Sequence, residues 1–243
     1  EPLEDLTVRF KEEARAIKDM GFVATKMKVG LGPRADIKLA EAVRRGIGDD
    51  FRFMVDANHC YTTSDAFEVG RALEDLDAYW FEEPIAPEDL QGYRELRAGL
   101  NVNISGGEAE FNRWGWRSLL ESRGLDIAQP EVCALGGISE YLRVLALCHA
   151  HFTPVVNHVW GSAVAVATNM HLLASMPDLP GGMNPWEPML EFDTTDNKFR
   201  DELLETPLEI QAQVARTNGY IALPEGPGLG ITPDRDFLQY FAL

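Results

Sequence analysis

One pattern constrains the fold of this chain more than any other. A short apolar run alternates with an amphipathic helical stretch along most of its length, with a repeat of about 26 residues. Such alternation predicts parallel strands whose connecting helices lie outside the sheet. The predicted strands are FVATKMKV, FRFMVDAN, AYWFEEP, VNISGGE, LDIAQPE, TPVVNHV and an extended segment near 184–188.

The number of predicted strands favours an α/β barrel, a modified TIM barrel, because seven strand candidates alternate strictly with helices. A doubly wound open sheet is the alternative, but it usually carries a Gly-rich phosphate loop after its first strand. Neither GxGxxG nor GxxxxGK[ST] occurs in the sequence. The helices are predicted at 4–20, 35–46, 64–76, 87–98, 112–123, 138–151 and 161–175.

The two ends of the chain set its expected domain organisation. A barrel should begin with a strand, whereas residues 4–20 read as a helix, so we expect the first strand and any domain before it to be absent. We therefore assign residues 1–190 to the barrel domain and residues 191–243 to a C-terminal extension packed against it. This extension holds a charged loop at 193–205, a strand-like GYIALP segment and a Gly/Pro-rich stretch.

Charge and composition exclude several kinds of partner. The chain has 22 Lys and Arg residues against 39 Asp and Glu residues, a net charge of −17, which argues against nucleic acid and anionic membranes. No apolar run approaches the roughly 20 residues that span a bilayer. The acidic N-terminus resembles neither a signal peptide nor a basic targeting segment. Cys60, Cys133 and Cys148 lack a CxxC spacing, which favours a reducing, cytoplasmic compartment.

Each predicted strand ends in a polar or ionisable residue. The carboxyl ends of strands in a parallel barrel form one rim, and active sites lie there. A single residue of this kind is more often solvated or structural, but seven in succession favour a common cavity. They are Lys28, Asp56, Glu82, Glu108, Glu131, His158 and Glu187, separated by 28, 26, 26, 23, 27 and 29 residues.

Three carboxylates from consecutive strands predict a metal site. Asp56, Glu82 and Glu108 would repel one another at a single point unless a cation lay among them, and all-oxygen ligation suits Mg²⁺. The alternative is three separate salt bridges with helix lysines. Glu82 and Glu83 face opposite sides of a strand; the chemistry leaves open which of them enters the cavity, while the 26-residue spacing slightly favours Glu82.

Two lysines and one amide extend the candidate site. Lys26 and Lys28 are two residues apart on a strand, so their side chains face the same way. We expect each positive charge to lower the pKa of the other lysine and make a neutral amine available, unless both lysines point out to solvent. Asn58 stands two residues after Asp56 and is a candidate substrate-binding residue.

One of the five histidines lies at a strand end. His158 suits proton transfer because imidazole titrates near neutrality, and Glu131 on the preceding strand could orient the ring and raise its basicity. The other four histidines read as structural or solvated residues. His59, which directly follows Asn58 in a loop, is one of them.

Seven short motifs together resemble the enolase superfamily, in particular the barrel domain of its mandelate racemase subgroup. The resemblance runs from about residue 4 to the C-terminus. The partner of the histidine is usually an aspartate in this subgroup, whereas this chain has Glu131. The motifs are Lys26-Met27-Lys28, Val55-Asp56-Ala57-Asn58, Phe81-Glu82-Glu83-Pro84, Gly107-Glu108, Gln129-Pro130-Glu131 with Gly136-Gly137, Asn157-His158 and Trp186-Glu187-Pro188.

The resemblance implies a (β/α)₇β barrel, an essential Mg²⁺ held by Asp56, Glu82 and Glu108, and a separate capping domain that closes over the substrate. By the same resemblance the C-terminal extension packs on the barrel and the capping region, and the protein forms a homo-oligomer. The muconate-lactonizing subgroup of the same superfamily has a lysine on the sixth strand. Residues 131–134 of this chain contain no lysine, which favours the mandelate racemase subgroup.

The implied reaction is removal of the proton α to a carboxylate, which gives an enediolate. Lys28 and His158 would act as bases on opposite faces, Lys26 would bind the substrate carboxylate, and a protonated Glu187 would donate a hydrogen bond to the enediolate. We favour dehydration of an acid sugar, from a 2,3-dihydroxy acid to a 2-keto-3-deoxy acid. A racemase or epimerase of a 2-hydroxy acid and a non-catalytic barrel scaffold are the alternatives.

Overall fold

A parallel β-sheet forms the centre of the computed structural model, which describes residues 2–177 and 188–242. Five strands follow one another in chain order across the sheet, so the predicted α/β architecture is confirmed. The sixth predicted strand is reduced to a parallel bridge between Ala128 and Val155, and the seventh lies outside the described residues apart from Pro188. The strands are β1 Ala24–Lys28, β2 Arg52–Asp56, β3 Trp80–Glu82, β4 Asn103–Gly106 and β5 Ile127–Ala128.

Helices connect the strands, as the periodic sequence predicts. The seven predicted helices are confirmed, with ends that differ by at most a few residues, as α1–α5, α7 and α8. Among the described residues no helix is both long and apolar enough to cross a membrane. The helices are α1 Leu3–Asp19, α2 Pro33–Ile47, α3 Thr63–Asp75, α4 Leu90–Gly99, α5 Asn112–Ser122, α6 Val132–Leu135, α7 Ile138–Ala150, α8 Ala163–Ala174, α9 Lys198–Asp201, α10 Ile210–Thr217 and α11 Arg235–Phe241.

The two faces of the sheet bury different sets of side chains. Phe53, Val55 and Ile104 belong to the large core between the strands and the helices. The alternate residues Met54 and Trp80 pack in a smaller cluster on the inner face. Side chains two residues apart on a strand share a face. Asp56, two residues after Met54, and Glu82, two residues after Trp80, therefore also point inward.

Strand register brings the ends of neighbouring strands together. Lys28 pairs with Asp56 across β1 and β2, and Asp56 pairs with Glu82 across β2 and β3. These three residues end their strands, so their side chains start from the same edge of the sheet. The register therefore places ionisable groups from distant parts of the sequence side by side.

The C-terminal region differs from its prediction. The GYIALP segment forms no strand, and the amide of Ala222 binds the Gln213 side chain instead of a neighbouring strand. Helix α10, which the sequence analysis did not predict, packs Ile210 and Val214 against Val166 of α8. A segment of alternating apolar residues forms a β-strand only when a neighbouring strand pairs with it. The GYIALP segment packs Ile221 against helix α10 instead. The division between residues 190 and 191 stays a prediction.

A buried arginine joins three elements of the fold. The Arg44 side chain in α2 is 7% exposed. Its guanidinium donates hydrogen bonds to the carbonyl oxygens of Leu76, Gly48, Phe51 and Asp77, with N···O distances of 2.8–3.0 Å. These carbonyls lie where α2 and α3 end and where β2 begins, so a single side chain satisfies several terminal backbone groups.

Replacing Arg44 with methionine should destabilise the protein. The apolar side chain fills similar space but leaves the carbonyl oxygens without their donor, so we expect the free energy of unfolding to fall by about 3 kcal/mol. Urea unfolding measures the change. Arg45→Met is the matched control, because Arg45 is 62% exposed and pairs with Glu41 on the surface; its effect should stay within about 0.5 kcal/mol. Equal effects of the two substitutions would contradict the assignment.

Candidate active site

Three carboxylates meet at the edge where the strands end. One oxygen from each of Asp56, Glu82 and Glu108 lies within 4.8 Å of the others. Asp56 and Glu82 are fully buried, and Glu108 is partly exposed. Gly107 makes the turn before Glu108 at a φ of 115°, and a Cβ there would overlap the Trp116 ring. The geometry brings the three predicted ligands together.

Hydrogen bonds fix the orientation of Glu82. Its Oε2 accepts from Trp80 Nε1 at 2.9 Å and from Gln129 Nε2 at 2.7 Å, and its Oε1 lies 2.5 Å from Lys26 Nζ. Burial raises the pKa of Glu82 to about 8, although the Lys26 ammonium acts in the opposite direction. From the sequence no role is assigned to Trp80, and Gln129 is named only within a motif, since an indole and an amide carry no signal of their own in a strand pattern.

The two adjacent glutamates have different surroundings. Glu82 belongs to the acidic group, whereas Glu83 lies beside a histidine, with 2.6 Å between Glu83 Oε2 and His59 Nε2. Burial raises the pKa of Glu83 to about 8, and the nearby charges of Glu108 and Asp56 add to this effect. The structure therefore places Glu82, not Glu83, among the three converging carboxylates.

Both lysines of β1 face the acidic group. Lys28 Nζ hydrogen-bonds Asp56 Oδ2, and Lys26 Nζ lies 3.4 Å from the same oxygen. Burial alone would lower the pKa of Lys26, but the attraction of Glu191, Glu82 and Asp56 outweighs it and raises the pKa well above its ordinary value. The expectation of a lowered pKa is wrong for Lys26, because more carboxylates than ammonium groups surround it.

Asp56 is held from both sides. Its Oδ1 accepts a hydrogen bond from the backbone amide of Asn58 at 2.9 Å, while Lys26 and Lys28 face its other oxygen. Burial would raise the pKa of Asp56, yet Lys26 and Lys28 together lower it, so the carboxylate is ionised. Asn58 itself is exposed at the rim, where a solute can reach it.

A histidine–carboxylate dyad lies beside Glu108. His158 Nδ1 is 2.8 Å from Glu131 Oε2, and the second Glu131 oxygen accepts from the Cys133 amide. His158 Nε2 lies 3.2 Å from Glu108 Oε2. Burial would lower the pKa of His158, but the hydrogen bond to Glu131 and the charges of Glu191 and Glu108 raise it to about 9. The direction agrees with the basicity expected from the sequence.

Glu191 is a site residue that sequence reasoning missed. Its Oε1 lies 2.5 Å from Lys26 Nζ, and its Oε2 accepts from the Val159 amide at 2.9 Å. Burial would raise the pKa of Glu191, but Lys26 and His158 lower it. Glu187, the predicted residue of this region, lies outside the described residues. Met189 and Leu190, the apolar pair before Glu191, could have marked it as the end of an extended segment. The regular spacing of the strand ends favoured Glu187 instead.

The donor set fits a hard divalent cation. All three converging groups offer carboxylate oxygens, the ligands that Mg²⁺ prefers. Glu108 Oε2 is buried and makes no hydrogen bond within the part of the chain that the structure describes. A cation among the three groups would supply the missing partner and offset their repulsion.

Two proton-carrying groups flank the acidic group. Lys28 contacts Asp56 at one end, and His158 lies beside Glu108 at the other. A small molecule bound at the acidic group would thus have an amine and an imidazole near it. This arrangement suits proton transfer at a carbon next to a bound carboxylate.

Comparison with known proteins identifies the family. The profile described as "Enolase C-terminal domain-like" matches residues 9–237. The D-galactarolactone cycloisomerase of Agrobacterium fabrum is 41% identical over 223 residues, which cover 92% of this chain and 57% of that protein.

Two solved structures share the fold. The 3,6-anhydro-D-galactonate cycloisomerase of Zobellia galactanivorans superposes with a TM-score of 0.86 at 39% identity, covering 97% of this chain and 63% of the other. The L-talarate dehydratase of Polaromonas sp. JS666, complexed with Mg and L-glucarate, gives a TM-score of 0.80 at 26% identity, covering 99% and 60%. This chain therefore spans less than two thirds of the length of these proteins, and it belongs to the enolase C-terminal domain-like family of the enolase superfamily.

Proposed function

We propose that this chain forms the catalytic barrel of a Mg²⁺-dependent enzyme that removes the proton α to the carboxylate of an acid sugar and then eliminates water. One observation carries the proposal: three carboxylates lie within 4.8 Å of one another, with a lysine pair at one end and a histidine–glutamate dyad at the other. A non-catalytic scaffold has no use for this arrangement, in which buried like charges cost stability.

Asp56, Glu82 and Glu108 would hold the metal ion. Bound there, Mg²⁺ supplies positive charge that stabilises the negative charge developing on the substrate carboxylate. The hydrogen bonds from Trp80 and Gln129 keep Glu82 pointed toward the other two carboxylates. The Glu82 carboxylate is thus oriented before a metal ion binds.

Lys26 is suited to bind the substrate carboxylate. Its buried ammonium remains charged because its pKa is raised by the surrounding carboxylates. Glu191 holds that ammonium in place and also binds the amide of Val159, the residue after His158. Asn58 is positioned at the rim to hydrogen-bond the substrate. The role of Glu187 as a protonated donor to the enediolate stays a prediction.

Lys28 and His158 would move the protons. One of them takes the α-proton from its side of the carbon, and the electron pair of the C–H bond passes into the enediolate. The His158 imidazolium can donate a proton to the β-hydroxyl, and water leaves as the C–O bond breaks. The resulting enol tautomerises to a 2-keto-3-deoxy acid, which balances the dehydration. Glu131 orients the imidazole for this step.

Two other outcomes begin with the same proton abstraction. If the β-oxygen belongs to a ring, its elimination opens the ring without loss of water, and two of the compared proteins are named cycloisomerases. If nothing leaves and a proton returns to the opposite face, the product is the epimer. The presence of both Lys28 and His158 permits each outcome.

The proposal includes a cellular setting and an assembly. The free cysteines Cys60, Cys133 and Cys148 suit a reducing cytoplasm. Homo-oligomerisation stays a prediction that rests on the resemblance. The partner that the site itself favours is a small carboxylate, since its inner surface offers ammonium and imidazole groups.

Incubation in D₂O with Mg²⁺ and a panel of acid sugars tests the proposed function. Galactarate, L-talarate and L-glucarate should be examined by NMR for α-proton exchange and for a 2-keto product. Because dehydration uses one group as the base and the other as the acid, we expect Lys28→Ala and His158→Asn each to lower dehydration by at least about 100-fold. Each variant should still support slow exchange on the face served by the remaining base.

Chelation and a surface substitution provide the controls. EDTA should abolish exchange, and added Mg²⁺ should restore it. The exposed Glu88, changed to Gln, should leave the rate unaltered. Full activity in both base variants, or exchange that persists after the metal is removed, would contradict the proposal.

The pKa of His158 gives a separate prediction for the metal-free protein. The imidazole should titrate near pH 9 rather than 6.5, as measured by the NMR shift of its ring proton. A raised pKa stabilises the fold below pH 6.5, and that contribution is lost as the pH rises through 9. Glu131→Gln should lower the titration midpoint because it removes the charged hydrogen-bond acceptor. An unchanged midpoint would show that Glu131 does not set the basicity of His158.

A further inference from the structure

A second histidine–glutamate pair lies at the same edge of the sheet. His59 Nε2 is 2.6 Å from Glu83 Oε2, and Glu83 is 1% exposed. A carboxylate at that depth needs a polar partner, and the imidazole is the partner within reach. The two groups are in contact at ion-pair distance, although neither Nε2 nor either Glu83 oxygen makes a hydrogen bond within the residues that the structure describes.

The backbone around this pair is strained. Asn58, His59 and Glu83 have φ values of 40°, 67° and 40°, in the left-handed region that side chains rarely adopt. Such a conformation persists when its surroundings enforce it, and it is less costly for Asn58 and His59 than for Glu83. Strain of this kind concentrates at functional sites, and here it turns the loops after β2 and β3 toward each other.

Hydrogen bonds between the two loops enforce this geometry. Pairing between β2 and β3 continues beyond the ends of both strands and ties the two loops together. The three amide-to-carbonyl contacts are Ala57 N to Glu82 O at 2.9 Å, His59 N to Glu83 O at 2.8 Å and Tyr61 N to Pro84 O at 3.2 Å.

One edge of the His59 ring remains available. The side chain is 35% exposed, and its Nε2 is buried against Glu83. Nδ1 makes no hydrogen bond to any residue within 2–177 or 188–242. His59 is three residues after Asp56, and Glu83 is next to Glu82, so the ring lies at the same rim as the acidic group. A structural tether alone would not require an exposed imidazole edge.

We propose that His59, oriented by Glu83, is a specificity residue that hydrogen-bonds a hydroxyl group of the substrate through Nδ1. This inference rests on the proposed function and identifies a group that selects a polyhydroxylated carboxylate over a simple one. An imidazole nitrogen accepts from or donates to a hydroxyl, and its fixed position makes the interaction depend on the configuration of that carbon. Glu83 is a positioning residue that acts through His59.

Two substitutions of His59 test the roles of its two ring nitrogens separately. Glutamine places its amide near the position of Nε2, so His59→Gln keeps the contact with Glu83 and loses Nδ1. Asparagine places its amide near the position of Nδ1, so His59→Asn keeps the substrate contact and loses the tether to Glu83. We expect this partly exposed position to accept either amide, and asparagine adopts a positive φ readily.

The test compares kcat and KM of the full-length wild-type protein and the two variants on galactarate, L-talarate and L-glucarate with Mg²⁺. For His59→Gln we expect an unchanged thermal midpoint and an unchanged affinity for Mg²⁺. Its kcat/KM should fall about tenfold, mainly through KM, on the acids whose hydroxyl reaches Nδ1. The loss should be unequal across the panel. His59→Asn should have a lower thermal midpoint and keep the wild-type order of preference.

The outcomes distinguish this inference from the proposed function. A wild type that exchanges no α-proton with any acid overturns the proposed function, and this inference with it. An active wild type with a His59→Gln variant of unchanged kcat/KM overturns this inference alone. An equal loss on every acid also overturns it, because a purely structural role would affect all substrates alike.

Discussion

Mutual repulsion among buried carboxylates is the constraint on which the rest of the site depends. Asp56, Glu82 and Glu108 lie within 4.8 Å of one another at the edge of a largely apolar sheet. Without positive charge such a group is unfavourable, and Lys26 and Lys28 supply part of it. The lysine charges do not compensate the two buried carboxylates equally, because the pKa of Glu82 is raised whereas the pKa of Asp56 is lowered. A divalent cation would complete it.

The fold creates this group through strand periodicity. Met54 and Asp56 lie two residues apart on β2, as do Trp80 and Glu82 on β3, so an apolar inner layer is followed by an acidic rim. The parallel register then aligns the strand ends. The same geometry leaves the two histidine pairs at one edge, where one can serve proton transfer and the other substrate choice.

Local patterns predicted the strands β1–β5 and the converging carboxylates, because burial and register in a parallel sheet follow from alternation. They did not predict Glu191, whose contact with Lys26 joins two residues that lie far apart in the sequence. The strand-like segment at 219–224 forms no strand, and its Ile221 packs against Ile210 and Val214 of α10. The pKa of Lys26 was misjudged because the surrounding charges come from three distant segments.

The most direct test of the account is a crystal structure of the protein with Mn²⁺ in place of Mg²⁺, read from the anomalous scattering of the metal. We expect a single strong peak coordinated by oxygens of Asp56, Glu82 and Glu108 at about 2.1 Å, with Lys28 and His158 on either side of its open positions. Metal bound elsewhere, or these three carboxylates turned away from a common centre, would contradict the central claim.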